Sequence, residues 1–201
     1  SQVCTASQWS MGIKTDGTMW AWGDGEYGEL GQNQSNSGGF DGTSSPVQIP
    51  SKAGTTWTYL SVGENGANAI NSAGEWYSWG RYYYGAPFNA TGNDNRSSPT
   101  QIPGTDWAFV DYSSAIGAAI KTDGTLWTWG ANNNGALGIN EQGDFPGMTT
   151  SRSSPTQVPG TTWSKCYCDS DAMYGFKTDG SLWVWGHNAS GQLGLNQGNV
   201  K

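Results

Sequence analysis

Charge is scarce in this sequence: Lys and Arg together number 9 in 201 residues, Asp and Glu 16, and the net charge is -7. Phosphate backbones are held by clustered basic surface, so nucleic acid is a poor partner. No run of 18 apolar residues occurs, which removes a membrane-spanning helix and with it membrane insertion by that route. The one histidine, His187, excludes a His-rich metal site and leaves a Ser-His-Asp triad speculative. The cysteines are an odd set, Cys4, Cys166 and Cys168, without a paired framework. Cys166 and Cys168 would point to one face of a strand and read as small buried residues. A link from Cys4 to either requires the first and last repeats to lie side by side. No signal-like segment opens the sequence, and a start at Ser1 leaves room for a leader upstream.

What is plentiful is glycine, at 31, and tryptophan, at 12, with 13% aromatic residues overall. Aromatics at that level argue against disorder, and glycine with tryptophan reads as many short strands joined by tight turns. Internal repetition organises them. Counting from Trp57, Trp107 and Trp163, an offset of thirteen gives Ile70, Ile120 and Phe176, and seventeen gives Gly74, Gly124 and Gly180. Twenty gives Tyr77, Trp127 and Trp183; twenty-two gives Trp79, Trp129 and Trp185. The N-terminal segment fits the same ruler with its zero one residue before Ser1, placing Ile13, Gly17, Trp20, Trp22, Gly23, Gly28 and Gly31 on their offsets.

Four repeats result, with units of about 1–57, 58–107, 108–163 and 164–201 in a single repeat domain, the last lacking its outgoing linker. Length varies only between Asn33 and Ser44, Thr91 and Ser97, and Glu141 and Ser153, each ahead of a Ser-Ser-Pro tract (Pro46, Pro99, Pro155). Insertions confined to one face are the natural binding loops of a repeat protein.

Asp16-Gly17, Asp123-Gly124 and Asp179-Gly180 are hairpin signals between β-prone runs, and Ala73-Gly74 is a weakened copy. Beyond each turn the paired aromatics stand two apart and so share one face of a strand. Rings of that size fill the space between stacked sheets, a scaffold role preferred here to sugar stacking. Gly23, Gly80, Gly130 and Gly186 after the pair suggest a bend or close backbone approach.

The stretch Ile-Lys-Thr-Asp-Gly-Thr-Leu-Trp-Thr-Trp-Gly-Ala-Asn-Asn-Asn-Gly-Ala-Leu-Gly, residues 120–138, resembles the regulator of chromosome condensation repeat, as do Phe176 to Gly194 and Ile13 to Gly31. The second copy departs, with Gly85-Ala86-Pro87-Phe88 in place of Gly-x-Leu-Gly. The resemblance implies an all-β fold of β-propeller blades, four antiparallel strands each, arranged around an axis; part of a larger ring, or one completed by another chain, is the favoured reading of four repeats, with a compact four-blade closure as the alternative. Its dialect, Ser-Ser-Pro-x-Gln-Ile-Pro-Gly-Thr-x-Trp, is similar to repeats in structural proteins of marine tailed phages and in bacterial surface proteins.

Chemistry-bearing clusters are few. His187 sits at a varied loop position and reads as surface; Asp24/Glu26 and Asp169/Asp171 read as ordinary surface acids rather than a calcium loop. Asn33, Asn89, Asn95 and Asn188 begin sequons at about the chance rate. The irregular candidate is Arg81-Tyr82-Tyr83-Tyr84, an arginine beside a tyrosine cluster of the kind favoured in recognition surfaces. The expectation is a non-enzymatic structural or adhesive module without cofactor or metal, in an extracellular assembly and first of all a phage virion. Its partners would be proteins, copies of itself or cell-surface glycan. The alternatives are a soluble protein- or glycan-binding propeller and a bacterial surface repeat protein.

Overall fold

The computed structural model describes residues 1–33, 42–81, 95–113, 115–141 and 151–196. The local unit is a hairpin closed by Asp-Gly-Thr. The Asp16 carboxylate accepts hydrogen bonds from the Thr18 N–H (2.9 Å) and the Thr18 hydroxyl (2.7 Å), and that hydroxyl accepts one from Trp20 Nε1 (3.0 Å). Asp123–Thr125–Trp127 and Asp179–Ser181–Trp183 repeat the chain of bonds. These bonds hold the three aspartates below the usual carboxylate range. In the second repeat Asn71 takes over, its Oδ1 accepting from the Ala73 and Glu75 N–H groups. The weakened Ala73-Gly74 turn is thus supported from a different residue.

These hairpins build four antiparallel sheets. The first contains β1 (Gln2–Thr5), β2 (Trp9–Ile13), β3 (Met19–Gly23) and β4 (Thr43–Ile49). The second contains β5 (Trp57–Val62), β6 (Gly66–Asn71), β7 (Trp76–Arg81) and β8 (Asn95–Ile102); the third, β9 (Trp107–Tyr112), β10 (Ile116–Lys121), β11 (Leu126–Gly130) and β12 (Arg152–Gln157). The fourth has three strands among the described residues, β13 (Trp163–Cys168), β14 (Ala172–Lys177) and β15 (Leu182–Gly186). Strands follow chain order across each sheet. The Ser-Ser-Pro tracts lie in β4, β8 and β12, on sheet edges, where a proline removes no ladder bond the sheet requires. Register shifts fall at Gly23, Gly80 and Gly130, the expected bends.

The core lies between sheets rather than within them. Three apolar layers separate the four sheets, each drawn from two neighbours. In the middle layer Trp76 of β7 meets Trp107 and Trp129 at ring-centroid distances of 5.0 and 4.8 Å. First strands of consecutive sheets touch, β1 with β5, β5 with β9 and β9 with β13, so they form the converging side of the array. A chain of sheets stacked face to face about one side is the blade arrangement of a propeller.

Candidate interaction surfaces

The sequence candidate at Arg81 lies at the junction of the first two blades. Its guanidinium sits 4.6 Å from the centroid of the Tyr27 ring, a cation–π contact, and its backbone N–H donates to the Asn65 carbonyl at 2.7 Å. Tyr82, Tyr83 and Tyr84 lie outside the described residues, as do most of the length-variable segments. Other candidates take structural places. His187 is half-buried, its backbone N–H donating to Asp171 and its ring 3.3 Å from the Gln192 amide. Asn188 is buried, and its Oδ1 accepts the Leu193 N–H, so this sequon asparagine braces a loop instead of offering itself to a glycan. Among the described residues no group of three potential metal ligands converges. The three cysteines are free thiols; Cys166 is buried as expected and Cys168 is half-buried.

Why the paired tryptophans and the Gly-x-Leu-Gly ending belong to one motif becomes clear at the blade junctions. Trp79 Nε1 of the second blade donates to the Glu29 carbonyl of the first (2.7 Å), and Trp185 Nε1 of the fourth to the Ala136 carbonyl of the third (2.9 Å). A Cβ on Gly31 would stand 3.1 Å from Trp79 Nε1, and one on Gly138 2.8 Å from Trp185 Nε1. The last glycine of the motif therefore makes room for the indole of the next blade. The first tryptophan of each pair remains partly exposed, stacked under a lysine: Lys121 bridges Trp107 and Trp127, and Lys177 bridges Trp163 and Trp183.

On the converging side the stitches use residues that do not repeat. The Gln2 side chain donates to the Leu60 carbonyl (2.7 Å) and accepts the Leu60 N–H (3.1 Å), acting as a miniature strand partner. Asp111 of β9 joins three blades: its carboxylate accepts the Ser61 hydroxyl at 2.9 Å on one side and the Cys168 N–H at 2.8 Å on the other. Burial raises the Asp111 carboxyl above its usual range, and burial followed by the Asp111 charge raises the Cys166 and Cys168 thiols well above theirs. High thiol pKa values make poor nucleophiles. The site is a structural clasp.

Glu29, buried in the loop after β3, accepts the Tyr27 N–H at 2.9 Å. Burial, with Asp24 and Glu26 adding, lifts its carboxyl from 4.5 to about 7. The folded chain thus keeps a proton that the unfolded chain releases, so stability declines as pH rises from 4.5 to about 7 and then levels off. The expected decline is of the order of 3 kcal/mol. Urea unfolding of Glu29→Gln at pH 5 and pH 8 should show most of that slope removed.

The outermost faces of the array are unlike its interior. Val3 of β1 is 67% exposed, although its repeat equivalents Leu60, Val110 and Cys166 are all 0% exposed. Leu182 of β15 is 53% exposed, against 0% for Met19, Trp76 and Leu126. The difference lies in the neighbour: Leu60, Val110 and Cys166 pack on the blade before them, and Met19, Trp76 and Leu126 on the blade after. A groove of about 640 Å³ beside Val3 is lined by Gly12, Trp20, Trp22 and Pro46.

Known proteins share this architecture. Human WBSCR16 superposes with a TM-score of 0.78 at 21% identity, covering 98% of this chain and 50% of the other. Prp20p from Saccharomyces cerevisiae, described with its binding properties to Gsp1p and histones, gives 0.78 at 19% identity over 98% of this chain and 47% of that one. At that identity the likeness concerns the fold alone. By sequence, the human E3 ubiquitin-protein ligase HERC2 is 33% identical over 130 residues, 63% of this chain and 2% of the ligase. The Xenopus laevis Regulator of chromosome condensation is 26% identical over 145 residues, 71% of this chain and 33% of that protein. The chain thus spans a third of one curated relative and a small fraction of the other, and these relatives are eukaryotic rather than phage proteins. The profile of the Regulator of chromosome condensation (RCC1) repeat matches residues 16–70 and 123–168, half of the length, and the chain belongs to that family of β-propeller repeats.

Proposed function

We propose that this chain is a non-catalytic, protein-binding propeller module whose first partner is a second copy of itself, joined head to tail through the two exposed faces. The carrying observation is the repeat equivalence of those faces. The Val3 face has the same positions that each internal blade presses onto its predecessor, and the Leu182 face has the positions that receive it. Complementary patches at opposite ends make a heterologous contact. Protein partners are also what the solved relatives display, Prp20p with Gsp1p and histones and yeast RCC1 bound to Kap60. A non-catalytic role is supported by the engagement of the Asp111 carboxylate in inter-blade hydrogen bonds and by the burial that raises the Cys166 and Cys168 thiols. The finer reading, an adhesive or structural part of an extracellular assembly such as a virion, draws its support from low charge and the Gly-rich composition.

Sedimentation velocity tests the proposal. The wild-type chain should associate with rising concentration, and Val3→Lys or Leu182→Lys should each weaken association at least about tenfold, equivalent to ~1.4 kcal/mol. A chain that stays monomeric throughout the micromolar range, or variants that associate as well as wild type, would overturn it.

A further inference from the structure

The loop Tyr27–Gly31 crosses from the first blade onto the second. The Trp79 indole donates to the Glu29 carbonyl at 2.7 Å, the Arg81 guanidinium stacks on Tyr27, and the Asn33 N–H just beyond donates to the Ser97 carbonyl at 2.6 Å. Turn bonds from the Gly28 N–H to Gly25 and from the Gly31 N–H to Gly28, both 3.0 Å, shape the loop from within. The equivalent loops of the third and fourth blades carry braces that this one lacks. Asn132 accepts the Leu137 N–H and Asn188 the Leu193 N–H, each at 3.0 Å, and the Thr128 hydroxyl donates to the Leu137 carbonyl at 2.8 Å. The first blade has Gly25 and Ala21 at the positions of Asn132 and Thr128. Its loop therefore leans on the second blade and on Glu29.

Glu29, 2% exposed, occupies a repeat position that the fourth blade fills with a neutral amide. There Gln192 Oε1 accepts the Ser190 N–H at 2.9 Å, just as Glu29 Oε2 accepts the Tyr27 N–H at 2.9 Å. The Gln192 NH2 meets the His187 ring at 3.3 Å, and the first-blade equivalent of His187 is Asp24. The third blade has Ala136 in this place. Glu29 takes part in none of the ion pairs among the described residues. The ionisable groups around it are Asp24, Glu26 and the Tyr27 phenol on its own loop, with Arg81 and Arg96 on the second blade. Arg81 lies over Tyr27, and Arg96 brings its backbone carbonyl within 3.0 Å of the Cβ position of Gly28.

We infer that Tyr27–Gly31 is a proton-operated latch between the first two blades, closed while Glu29 holds a proton and released when it gives the proton up. A protonated carboxyl reproduces the amide of Gln192: one oxygen accepts the Tyr27 N–H, and the hydroxyl stands in for the NH2, with Asp24 in the place of His187. Loss of the proton sets a third carboxylate beside Asp24 and Glu26, and water reaches it only when the loop lifts. Lifting breaks the Trp79 bond and uncovers Ile49, whose Cδ1 lies 3.3 Å from the Cβ position of Gly31. Burial, with Asp24 and Glu26 adding, holds the closed carboxyl at about 7, against 4.5 for one in water. Opening is therefore rarest below 4.5, becomes more frequent between the two values and levels off above about 7. The latch stands apart from the head-to-tail reading, since a monomer would show it equally.

Native-state hydrogen exchange on the intact chain, read at the Gly31 amide and the Trp79 indole, tests the latch. Corrected for the intrinsic pH dependence of exchange, the opening constant at both sites should rise on the order of 50-fold from pH 5 to pH 8. At pH 8 it should exceed that of the β6 amides, which report global unfolding. Glu29→Gln, which copies the fourth blade and keeps the acceptor for Tyr27, should hold the latch closed at both pH values. Gly31 opening as rarely as the β6 amides at pH 8 would mean that the loop leaves only when the chain unfolds, and would overturn the proposal. A rise with pH that survives in Glu29→Gln would overturn it as well.

Discussion

Gly74→Ala should destabilise the chain by about 3 kcal/mol or more, whereas Gly180→Ala, at the same turn of another blade, should cost only about 1 kcal/mol. Both glycines have left-handed backbone, with φ of 71° and 85°. Alanine pays that conformational penalty equally at either site. The surroundings differ. A Cβ at Gly74 would lie 2.4 Å from the Thr105 carbonyl oxygen, a backbone atom fixed at the start of the next blade, while nothing stands within 4 Å at Gly180. The Gly74 carbonyl also accepts the Trp107 N–H at 3.1 Å, so displacement of the turn pulls on the first residue of β9. Guanidinium unfolding of the two variants isolates the contribution of the following blade. Equal losses would mean that the Gly180 turn is covered in solution.

Asp111→Ala should cost about 3 kcal/mol, because it strands two donors at once, the Ser61 hydroxyl and the Cys168 N–H. Asp111→Asn should be tolerated far better at neutral pH. Its amide oxygen can still accept the Cys168 N–H, and its NH2 can donate to Ser61 once the hydroxyl rotates to accept. Asparagine also removes the charge that burial disfavours. The aspartate carboxyl is raised, so the wild type loses stability as pH climbs above the ordinary carboxylate range, and the asparagine variant should lose that slope. Thermal melts at pH 4 and pH 8 separate these outcomes. Equal losses for alanine and asparagine would exclude the hydrogen-bond account.

The repeat ruler reached the hairpins and the aromatic layers because each follows from period and turn chemistry within one unit, whereas the edge position of the Ser-Ser-Pro tracts came from the structure. It passed over the clasp at Asp111 because that position holds Cys4, Ser61 and Tyr167 in the other blades and carries no periodic signal. Glu29 was likewise hidden: a glutamate between Gly28 and Leu30 gives no sign of burial until a second blade covers it. The Arg81 candidate was placed by sequence against an irregular loop, and the structure finds its guanidinium on Tyr27 of the preceding blade.

Leu126 and Leu182 show where the two kinds of information part. Sequence gives them the same strand, the same offset and the same side chain, because local hydrogen bonding and alternation depend only on near neighbours. Exposure separates them completely, 0% for one and 53% for the other. Burial is conferred by the adjacent sheet, and a blade does not encode whether another blade lies beside it. The amino-acid order was sufficient for four blades and for the surfaces they stack with. Which of those surfaces are spent on internal packing, and which remain open to a partner, is a property of the assembled array.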